Sequence, residues 1–430
     1  MNILDIIAKK RDGKCLEKEE IEYFIQGYTD GTITDYQAAA LVMAIYINGM
    51  NYEETKNLTL AMAHSGEMLD LSDISDNIID KHSSGGVGDK ITLIVMPIIA
   101  SLGIPVAKMS GRGLGITGGT IDKLESIPGF RTDLDLDEFK NNIKQIGISL
   151  IGQTANLTPA DKKLYALRDT ISCTDNIALM ASSIMSKKIA AGAKKLVLEV
   201  TCGSGAFMKT KEEAENLSRV MKKIGELAGI ETICVITNMQ QPIGKNVGNS
   251  LEVEEAIRAL KGDMEEDIRE IVICLASHIV RLSGICNDSD EIREMILENI
   301  ENGKAYQKFV ELIRIQGGNT EYLENIEEAQ FVYEVIADED GYIEDLNAEL
   351  IGKASMKLGA GRMKKTDEID HTCGIVLEKK IGDYVNFGDT LCYIHSNRQD
   401  VIKEVEEDIK QAYTIGEEEP EEYEHILNVI

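Results

Sequence analysis

The chain has 430 residues, of which 43% are hydrophobic and 28% charged. Because a single hydrophobic core stops growing at about 250–300 residues, this length predicts two or three domains, and the composition is that of a folded chain. The formal net charge of −29 argues against a nucleic-acid backbone or an anionic membrane as partner. A small phosphate remains compatible with it, because such a ligand responds mainly to the few donors around it.

Neither the N-terminus nor the cysteines point to secretion. Residues 1–15 place apolar side chains at helical spacing and lack the long apolar run of a signal peptide. The longest apolar stretch, Ile91–Ala107, is interrupted by Pro97 and Gly103 and is shorter than the ~20 residues of a membrane span, so it predicts a buried helix and strand. The eight cysteines are scattered without paired spacing, which fits reduced thiols. We therefore expect a cytoplasmic protein that does not engage a membrane.

The chain begins with a helical pattern over residues 1–66. Thr34 and Gln37 can form a capping box ahead of an apolar stretch, and Asn51 can cap the helix that follows. Residues 158–192 are helical in pattern again. We expect this second stretch to complete the same helical domain.

From Ile78, short apolar runs alternate with glycine-rich turns and helical segments, which is typical of a mainly parallel sheet covered by helices. The runs are Val106–Met109, Ile148–Ile151, Lys195–Val200 and Glu231–Ile236. We assign 67–157 and 193–330 to this α/β domain. Short strands and turns around Leu358–Arg362 predict a third, α+β domain over 331–430, and we expect the acidic segment Gly416–Glu424 to be a solvated face or a loose end.

The densest polar motif is Asp80–Thr92, DKHSSGGVGDKIT, in which a strand end runs into a glycine-rich turn and then a helix. The turn exposes backbone N–H groups and the helix N-terminus adds its positive dipole end, so the motif predicts an anion site. Lys81 and the hydroxyls of Ser83, Ser84 and Thr92 would complete a phosphate cage. Most glycine-rich turns only redirect the chain, but the adjoining Lys-His-Ser favours the phosphate interpretation.

A second glycine-rich segment, Lys108–Glu125, follows the next predicted strand. Two such turns in one parallel sheet open at the same carboxyl edge, where open α/β folds bind ligands. Ser183 and Lys187 are four residues apart and would share one helix face, and Arg168 precedes them on another helical segment. On their own, such cations are usually solvated surface charges.

At these residues the sequence resembles the thymidine and pyrimidine-nucleoside phosphorylase family over essentially its whole length. The segments that carry the resemblance are Ser110–Glu125, Asp80–Asp89, Gln153–Asp169, Ser182–Lys188, Gly203–Met208, Leu358–Arg362 and Ile394–Asn397. It implies a helical domain facing a larger α/β domain across an active-site cleft, a C-terminal α+β domain, and a homodimer held by the helical layer. The implied reaction is reversible phosphorolysis of uridine, deoxyuridine and thymidine to free base and α-D-(deoxy)ribose 1-phosphate, by direct displacement with inversion.

The resemblance also assigns roles to residues of this chain. The implied phosphate ligands are Lys81, Ser83, Thr92, Lys108, Ser110 and Thr120. The implied base ligands are Arg168, Ser183, Lys187 and Phe207. His82, Arg168 and Lys187 are implied in catalysis, with His82 as a proton donor to a ring carbonyl and the two cations stabilising the departing base. Lys108 stands where the strict thymidine branch has Met, which implies that uridine and deoxyuridine are accepted.

The chain departs from the family pattern at three places. Position 90, usually a hydroxyl residue of a potassium site, is Lys, so we expect the Lys90 ammonium to replace the cation and pair with Glu255, since lysine and potassium would repel each other. The alternative is that Lys90 turns to solvent. Ile116 stands in place of His, and Thr201-Cys202 replace a pair that includes Lys, which puts substrate preference in question. We expect no metal or other cofactor, with inorganic phosphate as co-substrate.

The sequence is compatible with two other functions. A phosphoribosyltransferase of the anthranilate type shares this architecture, but it binds pyrophosphate with magnesium through an acidic pair, and the Arg168, Ser183 and Lys187 set argues against it. A nucleoside-binding regulatory protein without catalysis would have lost catalytic residues. Every proposed ligand is present, and only Ile116 and Thr201 favour that alternative.

Overall fold

The computed structural model describes residues 1–75, 77–113, 118–152, 156–362, 364 and 367–430. The helices in chain order are α1 (Ile3–Arg11), α2 (Lys18–Asp30), α3 (Asp35–Asn48), α4 (Tyr52–Ala63), α5 (Ile91–Ser101), α6 (Thr120–Glu125), α7 (Leu136–Ile146), α8 (Pro159–Thr170), α9 (Ile177–Ala190), α10 (Lys211–Ala228), α11 (Asn249–Leu260), α12 (Glu266–Ser283), α13 (Ser289–Glu301), α14 (Lys304–Ile315), α15 (Ala348–Ser355) and α16 (Ile402–Ala412).

The strands in chain order are β1 (Ile79–Ser83), β2 (Val106–Ser110), β3 (Ile148–Gly152), β4 (Lys195–Cys202), β5 (Glu231–Asn238), β6 (Asn246–Val247), β7 (Phe331–Ile336), β8 (Gly341–Leu346), β9 (Gly374–Leu377), β10 (Tyr384–Val385), β11 (Thr390–Ser396), β12 (Tyr413–Gly416) and β13 (Ile426–Val429). A five-residue turn of π-helix, Met356–Ala360, follows α15.

Helices α1 to α4 share one core with α8 and α9. Thr34 and Gln37 form the predicted capping box at the start of α3, and the Asn51 side chain caps α4 by accepting from the Glu54 N–H at 2.8 Å. Leu164 of α8 and Leu179 of α9 are buried in the same apolar cluster as the side chains of the first four helices. The chain thus visits the helical layer twice.

The central sheet has the order β13-β5-β4-β1-β2-β3. Strands β1 to β5 are all parallel, so the prediction of a mainly parallel sheet is confirmed. Every residue of α5 from Ile91 to Ala100 is buried, which explains why this stretch is apolar on all sides. The long apolar stretch is therefore a buried helix followed by β2, and among the described residues no helix is long and apolar enough to cross a bilayer.

The C-terminal part forms two small antiparallel sheets, β10-β8-β12 and β6-β9-β11-β7, the second of which includes β6 from the range predicted as α/β domain. They pack with α15 and α16 around a core that also takes in Val87 and Val247 of that domain. β13 does not belong to them. It pairs antiparallel with β5 of the central sheet, and the Ile430 N–H donates to the Cys234 carbonyl at 2.8 Å. The predicted range 331–430 therefore ends in a strand of the α/β domain, and Gly416–Glu424 is the connection to that strand rather than a loose end.

Candidate active site

A cleft of about 450 Å³ lies where the carboxyl edge of the central sheet faces α8 and α9. The predicted site residues that line it are His82, Ser83, Thr92, Lys108, Ser110, Thr120, Arg168, Ser183, Lys187 and Phe207. Both glycine-rich turns contribute to the sheet side of the cleft. The two sets of residues that the sequence places on different domains therefore face each other.

The first glycine turn follows β1 and is fastened to β4 through Thr201. The Thr201 hydroxyl donates to the Gly85 carbonyl at 2.5 Å, and its N–H donates to the Ser84 hydroxyl at 2.9 Å. The turn also packs tightly at Gly88, where φ is 72° and an added Cβ would lie 2.6 Å from the Ile243 carbonyl oxygen. These contacts hold the N–H groups of the turn in a fixed arrangement.

Lys81 lies behind the cleft and is almost fully buried. Its ammonium donates to a Glu199 carboxylate oxygen at 2.6 Å and to the Thr92 hydroxyl at 3.0 Å. Burial raises the pKa of Glu199 even though Lys81 opposes the shift. Lys81 thus orients the Thr92 hydroxyl, which lines the cleft. Its positive charge lies behind the cleft wall.

His82 lies among buried cations. Lys188 contacts one Asp80 carboxylate oxygen at 2.9 Å and Lys108 lies 3.7 Å from the other. Burial together with the Lys188 charge lowers the pKa of Lys108 to about 7. Burial and the charges of Lys188, Lys108 and Lys187 lower the pKa of His82 well below its usual value, which favours the neutral imidazole.

The opposite wall is built by one face of α8 and by α9. The Arg168 guanidinium donates to three backbone carbonyls, at 2.9 Å to Cys173, 2.7 Å to Thr174 and 3.2 Å to Leu179, and burial lowers its pKa. These bonds orient the guanidinium toward the cleft, which it lines.

Lys187 is fixed by two partners, of which sequence reasoning missed one. Its ammonium donates to the Ser183 hydroxyl at 2.9 Å and pairs with Asp161 at 2.6 Å. Asp161 is buried on the first turn of α8 and lines the cleft. Its spacing of seven residues from Arg168 places both on one face of a helix, which is the signal that could have identified it.

Phe207 and Cys202, two further positions singled out in the sequence, lie in the described part of the structure. Phe207 lies at the mouth of the cleft with 49% of its surface exposed. Cys202 is buried at the end of β4. Ile116 and Gln153 lie outside the described residues.

Three family models match the chain: the helical bundle domain of a glycosyl transferase family over 4–66, the a/b domain of that family over 75–306, and the pyrimidine nucleoside phosphorylase C-terminal domain over 342–416. The pyrimidine-nucleoside phosphorylase of Staphylococcus haemolyticus is 52% identical, with 95% of this chain and 96% of the relative covered. The enzyme of that name from Geobacillus stearothermophilus is 50% identical, with 96% and 94% covered. The chain belongs to the pyrimidine-nucleoside phosphorylase family.

Membership of the pyrimidine-nucleoside phosphorylase family makes the chain an enzyme of the pentosyltransferase class, as predicted. Among solved structures, the anthranilate phosphoribosyltransferase of Thermus thermophilus has a similar fold, with a TM-score of 0.59, 18% identity, and 72% of this chain and 98% of that chain covered. That likeness shows a shared fold alone.

Lys90, predicted to pair with Glu255 in place of a bound cation, is part of a buried polar site next to the first glycine turn. The Lys90 ammonium donates to the carbonyls of Ile243 at 2.7 Å and Asn246 at 2.9 Å, and to Glu255 at 2.5 Å. The Glu255 carboxylate also accepts from the backbone N–H groups of Lys245 at 2.8 Å and Asn246 at 2.9 Å. Lys90 is fully buried and does not turn to solvent.

Proposed function

We propose that the chain catalyses the reversible phosphorolysis of uridine, deoxyuridine and thymidine, giving the free base and α-D-ribose or deoxyribose 1-phosphate. The cleft supports this proposal because it combines two glycine turns with hydroxyl groups on one wall and two cations on the other. A nucleoside bound across it would present its anomeric carbon between them. Attack by phosphate from the sheet side and departure of the base toward α9 would invert that carbon.

The sheet wall binds and orients phosphate in this proposal. Its proposed direct ligands are the side chains of Ser83, Thr92, Lys108, Ser110 and Thr120, whereas Lys81, predicted from the sequence as a ligand, lies behind the cleft. Phosphate is itself the nucleophile, so the protein supplies position and charge rather than a covalent group. Lys81 acts here partly through Thr92, since its ammonium contacts that hydroxyl at 3.0 Å.

His82 acts as the proton donor to the base in this proposal. Its pKa is lowered because burial and several lysines disfavour a further positive charge. A phosphate dianion bound beside it would offset those lysines and raise the pKa. His82 would therefore gain its proton when phosphate binds, and could then donate it to a ring carbonyl of the base.

The helical wall holds the base and stabilises the charge that develops on it. Arg168 and Lys187 would face the carbonyl oxygens of the pyrimidine, where negative charge grows as the glycosidic bond breaks. Ser183 and Phe207 would hold the ring beside them. Both cations are already oriented by fixed partners, so little reorganisation accompanies the reaction.

The Lys90 site replaces a bound potassium ion in this proposal. Its ammonium already contacts two backbone carbonyls and a carboxylate, which are the oxygen ligands that a potassium ion would use. A potassium ion beside the ammonium would meet a like charge at close range. Wild-type activity is therefore expected to be independent of potassium.

The decisive experiment is phosphate-dependent release of base from uridine, deoxyuridine, thymidine and cytidine. Each is assayed with potassium and with tetramethylammonium in its place, and the anomer of the sugar phosphate is read by NMR. Cleavage of the first three to the α-anomer in both salts is expected. Lys187→Met should abolish release, whereas the exposed Lys223→Met on α10 should not. Nucleoside binding without release would favour a binding protein.

The proposal includes a homodimer in the cytoplasm. Tyr36 and Ile47 of α3 expose 75% and 72% of their surface, and such apolar exposure on the helical domain fits burial against a second copy. Light scattering of the purified chain should give twice the monomer mass. Ile47→Glu should lower that mass if this face forms the dimer.

A further inference from the structure

We propose that Arg362, in the C-terminal domain, positions the second glycine turn of the cleft through Asp122 and thereby takes part in phosphate binding. The inference rests on the phosphate site proposed above and names a residue outside both walls of the cleft. It gives the C-terminal domain a positioning role at the phosphate side of the cleft.

Asp122 is the centre of the arrangement. It lies on the first turn of α6 and exposes 1% of its side chain. One of its carboxylate oxygens accepts from the Gly113 N–H at 2.6 Å, and the other accepts from the Arg362 guanidinium at 2.9 Å. The carboxylate therefore bridges the glycine turn and the C-terminal domain.

The turn that Asp122 holds is part of the cleft. Gly113 and Thr120, the latter a proposed phosphate ligand, both line it. Gly119 packs so closely on the turn that an added Cβ would lie 2.2 Å from the Gly113 nitrogen. A small rotation of the Asp122 carboxylate would therefore shift Gly113 and, through Gly119, the adjacent Thr120.

Arg362 is the partner that Asp122 depends on. Arg112 also approaches the same carboxylate oxygen, but at 3.4 Å, and its guanidinium is engaged mainly by Glu125. Without Arg362, the Gly113 N–H would be the one close partner of the buried Asp122 carboxylate among the described residues, and a buried carboxylate without its cation is costly. It would then rotate or take up a proton, and either change alters the turn.

The backbone that carries Arg362 is itself held against the α/β domain. The π-helical turn after α15 contains Gly359 at φ 110°, a conformation that disfavours other residues. The Ala360 carbonyl accepts from the Asn249 side chain of α11 at 2.8 Å. Arg362 is thus presented to Asp122 from a fixed backbone.

The test compares KM for phosphate with KM for nucleoside in Arg362→Met and Arg362→Lys. Arg362→Met should raise the phosphate KM about tenfold, since it removes a charge-assisted hydrogen bond, and leave the nucleoside KM unchanged. Arg362→Lys should recover part of the loss. The matched control is Lys357→Met, which removes a cation of the same domain that pairs with Glu404 and Asp408 of α16 and should change neither KM.

Phosphate-dependent thermal stabilisation provides a second readout that does not require turnover. Arg362→Met should need more phosphate than the wild type for the same rise in Tm. Equal increases in both KM values, or a lower Tm with an unchanged phosphate requirement, would make Arg362 merely structural and overturn the proposal. If Arg362→Met does not fold, Arg362→Lys decides by the same split. A wild type that binds phosphate but cleaves no nucleoside would contradict the proposed function alone.

Discussion

Lys90→Thr should make the stability of the protein depend on potassium. The substitution removes an ammonium whose three hydrogen bonds go to Ile243, Asn246 and Glu255, and it leaves the Glu255 carboxylate buried without its cation. Removing one partner of a buried ion pair costs about 3–5 kcal/mol of the free energy of unfolding. The threonine leaves space for an ion between the same three oxygens.

Potassium that binds only the folded variant should return much of this loss. At a concentration one hundred times its Kd, a ligand adds about 2.7 kcal/mol to the free energy of unfolding. For an α/β unit of this size, about 2–4 °C of Tm corresponds to each kcal/mol. The Tm of Lys90→Thr should therefore rise by roughly 5–10 °C in potassium, whereas the wild type should not respond.

Calorimetry in potassium and in tetramethylammonium at equal ionic strength measures this difference. Lys123→Thr is the matched control, because Lys123 also forms a buried pair, with Glu252 at 2.8 Å, but among the described residues it contacts one carbonyl, that of Asp89, instead of two. It should lose stability and gain nothing from potassium. An equal response of wild type and Lys90→Thr to potassium would refute the reasoning.

Three further substitutions test the site. Lys108→Met should lower kcat/KM for uridine about tenfold relative to thymidine. The free energy of unfolding of the wild type should rise from pH 7 to 10.5, because the pKa of Lys108 is about 7 in the folded chain and the ordinary 10.5 in the unfolded chain, which binds the extra proton in that window. Lys108→Met should remove this rise. Asp161→Asn should lower kcat about tenfold by loosening Lys187, with the phosphate KM unchanged in initial-rate assays. Thr201→Val should raise the phosphate KM about threefold, because it releases the Gly85 carbonyl, and titration of the initial rate with phosphate measures it.

The parallel sheet was predictable because its strands are short apolar runs that end at glycine-rich turns. Val106–Met109 and Lys195–Val200, for example, became β2 and β4. Parallel strands place their turns at one edge, so the cleft followed from the same pattern. The helical wall was predictable as helix, but only the family resemblance showed that its cations face the cleft.

The partners of the charged residues were not predictable, because they are far apart in the sequence. Glu199 lies 118 residues from Lys81, and Asp122 lies 240 residues from Arg362. The strand pattern alone predicts one feature of the site. Side chains alternate along β1, so the side chains of Lys81 and His82 point to opposite faces of the sheet. That alternation explains why His82 lines the cleft while Lys81 lies behind it.

The pairing of β13 with β5 has a consequence for how the chain is made. Translation releases β5 well before β13, and the whole of 331–416 is synthesised between them. Until β13 arrives, β5 is the outer strand of the growing sheet, with unpaired backbone groups open to other nascent chains. The α/β domain therefore cannot pair the outer edge of β5 until β13 has been synthesised. Polypeptides that stop before Ile426 would leave β5 as an unpaired, aggregation-prone edge strand.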